Sequence, residues 1–247
     1  IEEVKSKKFN INDISSKVVN RNPSGPFTTS TLQQVSSGRL GFGASRTMQI
    51  AQKLYQGIEI DGETIGLITY MRTDGTNLST DAIDTFRKFI KSEFGEEYVP
   101  DSAASYSGKK AKNAQEAHEA IRPTDIMRAP DTVKKYLSPD QHKLYNLIWS
   151  RALSSQMKPA QFDRNTITIT SEDNGTICKA SGSVIKFDGF LKVMKDTKKD
   201  DDEDILPEMN KGPVNIEALL DEQHFTQPPP RYSEASLVKK LEELGIG

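Results

Sequence analysis

The amino-acid sequence predicts an α+β protein in which a mainly helical region is inserted into a β-rich one. Apolar residues recur at helical spacing through residues 30–156. After Pro159 the pattern changes to strict alternation, as in residues 166–170. Hydrophobic residues make up only 35% of the 247 residues, which favours an elongated shape or two thin modules over one compact domain with a large core.

Capping residues and apolar periodicity predict six helices in order along the chain. They cover residues 30–37, 45–55, 77–94, 113–121, 138–154 and 234–244. Gly38, Gly41 and Gly43 separate the first two, a pattern that resembles a helix-turn-helix. The inward face of the second helix is predicted to hold Met48, Ala51, Leu54 and Tyr55. The fifth begins with Ser138 as N-cap and Pro139 at its first position, and it is predicted to bury Leu144, Leu147, Ile148 and Ala152.

Short alternating or apolar runs predict the strands. They are residues 9–11, 166–170, 176–180, 183–187, 190–194 and 214–220. Gly175 is expected to turn the chain between the second and third of these. Residues 65–70 are predicted to be either a strand or a buried loop, and the prolines of 228–230 a stiff extended linker.

Composition excludes several classes of protein. No stretch approaches 18 apolar residues, so no membrane span is predicted, and the first residues lack the apolar core of a signal peptide. A single cysteine, Cys178, excludes a disulfide framework and a four-cysteine zinc ribbon. The net charge of −2 neither demands nor excludes a nucleic-acid partner. The acidic run 200–204 is interpreted as a solvated loop rather than a metal site.

The run 66–74, Gly-Leu-Ile-Thr-Tyr-Met-Arg-Thr-Asp, could carry chemistry. It places Tyr70 at the end of an apolar stretch and Arg72 two residues later. A free phenol, with a pKa of about 10, is a poor nucleophile. A guanidinium stabilises both a phenolate and a phosphate through its planar fork of donors. Taken alone, the pair also fits a packed aromatic beside a surface cation.

A second cluster lies at 114–123, Ala-Gln-Glu-Ala-His-Glu-Ala-Ile-Arg-Pro. On a helix, His118 and Arg122 would be neighbours on one face, one titrating near neutrality and the other able to hold a phosphate. The alternative is an exposed helix with Glu–Arg pairs.

Together, these two strings resemble the bacterial type IA DNA topoisomerases. The strings Pro-Phe-Thr-Thr-Ser-Thr-Leu-Gln-Gln at 26–34, Arg-Leu-Gly-Phe-Gly at 39–43, Met-Gln-Ile-Ala-Gln-Lys-Leu-Tyr at 48–55 and Pro-Pro-Pro-Arg-Tyr-Ser-Glu-Ala-Ser-Leu-Val at 228–238 agree with the same family. The resemblance runs from about residue 20 to the last residue.

The resemblance implies a role for each matching residue. Tyr70 would be the nucleophile that forms a 5′-phosphotyrosine link, Arg72 would position the phosphate, and His118 would contact the scissile region. Four further residues would shape the DNA site, namely Gln52, Thr69, Thr73 and Asp74. Arg122 would contact the DNA backbone. The sequence departs from the family at Gly75, usually serine, and at Gln56, often acidic.

The resemblance also implies a domain plan, an arch without the toprim domain. Residues 1–29 and 157–227 would form a β-rich hinge domain, 30–156 the helical domain with the tyrosine, and 228–247 the truncated start of a following helical domain. The chain would thus be a fragment, inactive alone.

The activity implied is relaxation of negatively supercoiled DNA without ATP, by cutting one strand, passing another and resealing. Single-stranded DNA is the expected partner, and Mg²⁺ the cofactor, held by the toprim domain of the intact enzyme with no metal on this chain. A monomer in the cytoplasm, associated with the nucleoid, is expected. Two alternatives are a non-catalytic helix-turn-helix module at 30–56 that binds duplex DNA, and the topoisomerase part of a reverse gyrase.

Overall fold

The computed structural model describes residues 7–106, 119–194, 209–214, 218 and 222–246. The β-strands are β1 (Phe9–Arg21), β2 (Ile58–Ile60), β3 (Glu63–Ile65), β4 (Ala160–Ser171), β5 (Ile177–Phe187) and β6 (Gly212–Val214). The α-helices are α1 (Thr29–Leu40), α2 (Ala44–Gln56), α3 (Thr80–Glu93), α4 (Pro130–Val133), α5 (Pro139–Ser154) and α6 (Glu234–Glu243). Among these described residues no helix is long and apolar enough to span a membrane.

The chain divides into two compact units. A β unit contains Ile1–Asn22, Pro159–Gly189 and Lys195–Pro229, and a helical unit contains Pro23–Lys158, Phe190–Met194 and Pro230–Gly247. The largest segment of the helical unit, Pro23–Lys158, is thus inserted into the sequence of the β unit. This segregation confirms the predicted α+β class, whereas the assignment of hinge and tyrosine-bearing domains stays a prediction.

The β unit is a four-stranded antiparallel sheet in the order β5-β4-β1-β6. β1 pairs with β4 along its whole length, from Phe9 opposite Ser171 to Arg21 opposite Ala160. One end is buried through residues such as Phe9 and Ile11, but Val18, Val19 and Val184 are exposed further along. The sheet therefore has a packed end and an end whose two faces both meet solvent.

Several strand predictions need correction. β1 is 13 residues long, not the three of 9–11, because its polar residues pair with β4 without burying a face. Residues 176–180 and 183–187 belong to one strand, β5, since Gly182 pairs in register with Asn165. The strand predicted at 190–194 is wrong, because Gly189–Lys192 forms a 3₁₀ turn. Most of the predicted strand 214–220 lies outside the described residues.

The core of the helical unit contains α5, and the prediction of this helix is confirmed. Ser138 and Gln141 form a reciprocal capping box at its start, and Leu144, Leu147, Ile148 and Ala152 are buried as expected. The buried aromatic residues of α5 also satisfy their polar atoms. Trp149 Nε1 donates to the Ile126 carbonyl at 3.0 Å, and the Tyr145 hydroxyl donates to the Arg128 carbonyl at 2.8 Å.

The ends of the other helices differ from the predictions. α1 starts one residue earlier than expected, capped by Thr28, and continues through Gly38 until Gly41 adopts the left-handed conformation at φ 67°. α2 starts at Ala44 rather than after Ser45. α3 starts at Thr80, capped by Ser79, because residues 77–79 are extended. The capping of α6 by Ser233 is confirmed.

Two connections in the helical unit were also misjudged. A small hairpin of β2 and β3 follows α2, with Asp61 and Gly62 in its turn at positive φ, and sequence periodicity missed it. The helix predicted at 113–121 does not reach its expected end. Residues 119–121 are extended and form bridges with Asn77 and Phe27, whereas 113–118 lie outside the described residues.

Candidate active site

The loop that carries Tyr70 is an extended segment whose side chains alternate between core and solvent. Met71 and Thr73 are buried, whereas Tyr70, Arg72 and Asp74 are exposed. This period of two is that of a strand, although the segment belongs to no strand ladder with the residues that the structure describes. The loop therefore presents the tyrosine, the arginine and the aspartate to solvent on one side.

Tyr70 is half exposed, at 51%, and its ring packs edge-on against Tyr55. The two ring centroids are 5.3 Å apart at an interplanar angle of 63°. Tyr55 was predicted to face the core, but it is exposed and lies beside the buried stripe of α2. The contact restrains the ring of Tyr70, while about half of the residue's surface stays exposed.

Thr29, the first residue of α1, holds the loop backbone on both sides of Arg72. Its hydroxyl donates to the Met71 carbonyl at 2.7 Å and accepts from the Thr73 amide at 2.8 Å. Its own amide donates to the Thr73 carbonyl at 2.9 Å. One side chain thus fixes the peptide groups on either side of Arg72, which remains free to face solvent.

Two threonines of the loop fasten it to the extended segment 119–122. The Thr69 hydroxyl donates to the Ala120 carbonyl at 2.8 Å and accepts from the Arg122 amide at 3.0 Å. The Thr73 hydroxyl donates to the Glu119 carbonyl at 2.9 Å and accepts from the Gly75 amide at 3.0 Å. Both threonines were predicted to shape the site, and their contacts here are with protein backbone.

Arg122 is engaged with its own neighbours. Its guanidinium makes a two-point contact with the Glu119 carboxylate, at 2.7 Å from Nε and 3.1 Å from Nη2, and Nη1 donates to the Pro123 carbonyl. Partial burial works to raise the pKa of Glu119, but hydrogen bonds from Arg122 and from the Ser79 amide outweigh it and lower that pKa. This geometry favours a structural role for Arg122, and its contact with DNA stays a prediction.

Gln52 and Arg72 line the same cleft, which encloses about 360 Å³. Its walls are one face of α2 and the two residues after Tyr70 in the tyrosine loop, residues 66–74. They comprise Met48, Gln49, Gln52, Lys53, Gln56, Met71 and Arg72. Within the described part of the chain Arg72 has no hydrogen-bond or ion-pair partner. The cleft therefore combines two cations, three amide side chains and no acidic side chain among its lining residues.

The structure brings together most of the predicted site residues. Tyr70, Arg72 and Asp74 share the exposed side of one loop, and Gln52 joins Arg72 across the cleft. His118 lies outside the described residues. The predicted helical pairing of His118 with Arg122 is wrong, because the chain is extended from 119 onward.

Sequence reasoning missed three residues that organise the site. Thr29 sits in one of the family-like strings, but nothing in its local pattern shows that it binds a loop 42 positions away. Glu119 was interpreted as one member of an exposed helix. Tyr55 was predicted to be buried. Only the i,i+3 spacing of Glu119 and Arg122 signals a pair.

The described residues do not offer a site for a metal ion. Among them no three His, Cys, Asp or Glu side chains converge closely enough to hold one. The Mg²⁺ that the family resemblance implies therefore has no set of ligands among the residues described.

Comparisons with known proteins give one consistent result. The model of a family described as DNA topoisomerase matches residues 1–247. DNA topoisomerase 1 of Rickettsia felis is 51% identical over 250 residues, which cover 100% of this chain and 32% of that protein. The enzyme of Xylella fastidiosa strain 9a5c is 48% identical over 255 residues, covering 100% of this chain and 31% of that protein.

A solved structure matches equally completely. Full-length topoisomerase I from Thermotoga maritima superposes with a TM-score of 0.86 at 40% identity, covering 100% of this chain and 39% of that one. The whole chain is thus similar in fold to a segment of that longer protein. The chain belongs to the bacterial DNA topoisomerase family, and it spans about a third of the length of the curated relatives it matches.

Proposed function

We propose that this chain supplies the nucleophile and the phosphate-positioning cation of a type IA DNA topoisomerase. The observation that carries the proposal is the exposure of Tyr70 and Arg72 on one side of a loop whose backbone is fixed by Thr29, Thr69 and Thr73. A held loop places the reacting groups in advance, which lowers the entropic part of the barrier.

In the proposed step, the phenolic oxygen of Tyr70 attacks a phosphorus atom of one DNA strand. A bond forms between that oxygen and phosphorus, and the bond between phosphorus and the 3′ oxygen breaks. The phenol proton ends on the released 3′ hydroxyl, so no co-reactant is consumed. The reverse attack reseals the strand, which is why relaxation of negative supercoils needs no ATP.

Arg72 is proposed to bind the non-bridging oxygens of the attacked phosphate, where negative charge develops. It lies two residues from Tyr70 and has no partner among the described residues that would compete for its donors. Gln52 and Asp74 are proposed to contact the DNA beside it, and His118 the scissile region. Thr69 and Thr73 act through the backbone rather than by touching DNA.

The chain alone is proposed to form little covalent product, because groups that act as a unit fail together when some are missing. Mg²⁺ and the acidic residues that hold it would come from another part of the intact protein. A cytoplasmic, nucleoid-associated monomer acting on single-stranded regions is proposed with it.

The helix-turn-helix alternative is less well supported. α1 and α2 are joined by a short glycine turn, but the face of α2 with Lys53 lines the cleft beside the tyrosine loop. Arg46 pairs with Asp140 at 2.5 Å and stacks over Phe42. Few cations remain on α2 for a duplex groove. The proteins matched are called DNA topoisomerase 1, which favours a relaxing enzyme over a reverse gyrase.

The test is a label-transfer assay in a chimera. This chain replaces the corresponding third of the Rickettsia felis enzyme, and single-stranded oligonucleotides labelled at either end are incubated with it. A 5′-phosphotyrosine link leaves the 3′ label on the protein and releases the 5′ label.

The matched variants are Tyr70→Phe and Tyr55→Phe, which remove one hydroxyl each from two rings in contact. We expect Tyr70→Phe to abolish the adduct and Tyr55→Phe to retain it. The proposal would be contradicted if the 5′ label stayed on the protein, or if the Tyr70→Phe variant still formed the adduct.

A further inference from the structure

The β unit carries two cations that face each other across a pair of strands. In the antiparallel register, Lys17 of β1 lies directly opposite Arg164 of β4, so both side chains project from the same face of the sheet. Both are exposed, and neither has a hydrogen-bond or ion-pair partner among the described residues. Like charges placed directly opposite destabilise a sheet. The pair therefore calls for an explanation other than the stability of the fold.

The same face continues along the strands on either side of this pair. Pairing and alternation place one set of side chains together. This set, called the basic face below, comprises Lys17, Val19, Arg21, Phe162, Arg164, Ser183 and Ile185. A shallow depression of about 260 Å³ confirms the placement, since its lining contains every member of the set except Lys17, together with Asn20.

Among the described residues, no acidic side chain lies in the row of Lys17 and Arg164. In the rows of Ser15, Lys17 and Val19, the described residues that share this face are apolar, hydroxylic or basic. Asp163 follows Phe162 and so projects from the opposite face. Asp13 shares the face two rows from Lys17, but it pairs with Lys211 at 3.2 Å. A positive patch with an apolar row formed by Val19, Phe162 and Ile185 is left open to solvent.

We propose that the basic face binds the phosphodiester backbone of DNA through Lys17 and Arg164. Phosphates are the ligands that match two closely spaced cations, and binding them removes the repulsion that the empty face carries. Phe162 lies in the row between Arg164 and Arg21, where an unpaired base can stack on its ring. The proposal shares the DNA substrate of the proposed function, but it does not depend on cleavage at Tyr70.

The sharpest test is Lys17→Glu in the 247-residue chain, because binding and stability should move in opposite directions. Fluorescence anisotropy is measured for a short single-stranded oligonucleotide and for the matching duplex, between about 50 and 200 mM salt. We expect the variant to bind about 3- to 10-fold more weakly at low salt, with a shallower salt dependence. Its Tm should rise by about 1–3 °C, because the new carboxylate would lie opposite Arg164.

Lys8→Glu is the matched control. Lys8 is exposed and precedes the same strand, about 30 Å from Lys17 at the usual rise per residue, so the two variants change net charge equally. We expect Lys8→Glu to change binding by less than about 2-fold. Phe162→Leu should weaken single-strand binding only, which separates a stacked single strand from a duplex backbone as the source of the phosphates.

Three results would overturn the proposal. They are no binding of either DNA by the unaltered chain, equal weakening by Lys17→Glu and Lys8→Glu, and unchanged binding in Lys17→Glu with the expected rise in Tm. Tyr70→Phe separates this inference from the proposed function. It should abolish the covalent adduct in the chimera and leave binding to the basic face unchanged, so either proposal can fail alone.

Discussion

The tyrosine loop and the segment 119–123 run side by side in the helical unit, and each carries one arginine. Arg122 has its donors occupied by Glu119 and by a backbone carbonyl, and its side chain is 15% exposed. Arg72 faces a solvent-filled cleft and has no partner among the described residues. The two arginines of this site therefore differ. The donors of Arg122 are bonded to neighbouring protein groups, whereas those of Arg72 are available to a ligand. Nearness to a reactive tyrosine does not by itself make an arginine a ligand of the substrate.

The β unit shows the same distinction in a sheet. Lys7 pairs with Asp173 at 3.0 Å near the packed end, whereas Lys17 faces Arg164 at the open end. Arg72 and Arg164, which have no partner among the described residues, each line a depression of the surface. These are the two surfaces proposed above to bind DNA.

The largest expected effect comes from replacing each of the two arginines with alanine in turn. In the chimera, Arg72→Ala should lower the rate of adduct formation by about 10²- to 10³-fold, the loss typical of a group that stabilises developing charge. Its Tm should stay within about 1 °C, because Arg72 makes no hydrogen bond or ion pair with the residues that the structure describes. Arg122→Ala should lower the Tm by several degrees, because the partly buried Glu119 carboxylate loses both guanidinium hydrogen bonds and keeps only that of the Ser79 amide.

Single-turnover cleavage and thermal unfolding check both variants. If Arg122→Ala slows cleavage as much as Arg72→Ala does while its Tm is unchanged, the distinction between the two arginines is wrong. Arg72→Lys is a further control, because a lysine keeps the charge but loses the planar fork.

The next effect concerns the backbone clamp at Thr29. Thr29→Val keeps the shape but leaves the Thr73 amide without its acceptor, so we expect a loss of about 1–3 kcal/mol in the free energy of unfolding. Thr29→Ser keeps the hydroxyl and should stay close to the unaltered chain. Denaturant unfolding measures both. Hydrogen exchange at Thr73 should speed up only in Thr29→Val, and equal behaviour of the two variants would show that the hydroxyl is not the clamp.

The smallest effect is the pH dependence of the Glu119–Arg122 pair. The folded state lowers the pKa of Glu119, so its carboxylate binds fewer protons in the folded chain than in the unfolded one. Its stabilising contribution is therefore fully present above the ordinary pKa, about 4.3, and is lost as the pH falls through the folded value. Because the pair is partly exposed, we expect less than about 1 kcal/mol.

Comparing Glu119→Gln with the unaltered chain isolates this contribution. The difference in unfolding free energy between them should be constant from about pH 5 to 7 and should shrink below about pH 4. A difference that grows as the pH falls would have the wrong sign for this pair.

Local chemistry explains which parts of the fold were predictable. α5 was foreseen because Ser138, Pro139 and a buried apolar stripe all indicate the same helix. The predicted length of β1 is too short because residues 12–20 are mostly polar. They pair with β4, but their sequence does not alternate between apolar and polar residues. The turn at 189–192 was missed because an apolar run such as 190–194 reads equally well as a strand or as a tight turn.

The candidate site was predictable where residues lie in one string, and not where it depends on distant contacts. The string 66–74 gave Tyr70 and Arg72 together. The contacts of Thr69 and Thr73 with 119–122 span more than 40 residues and follow from tertiary packing. The same packing overrode the helical pattern expected for 119–121, since Ile121 bonds to Phe27 instead.

The central claim, that Tyr70 is the residue joined to DNA, has one most direct test. The chimera is incubated with a single-stranded oligonucleotide, trapped in denaturant, and digested with nuclease and trypsin. Mass spectrometry of the peptide that contains both Tyr55 and Tyr70 then locates the remaining 5′-phosphate nucleotide. We predict that it lies on Tyr70 alone. A nucleotide on Tyr55, on another residue or on none would contradict the account.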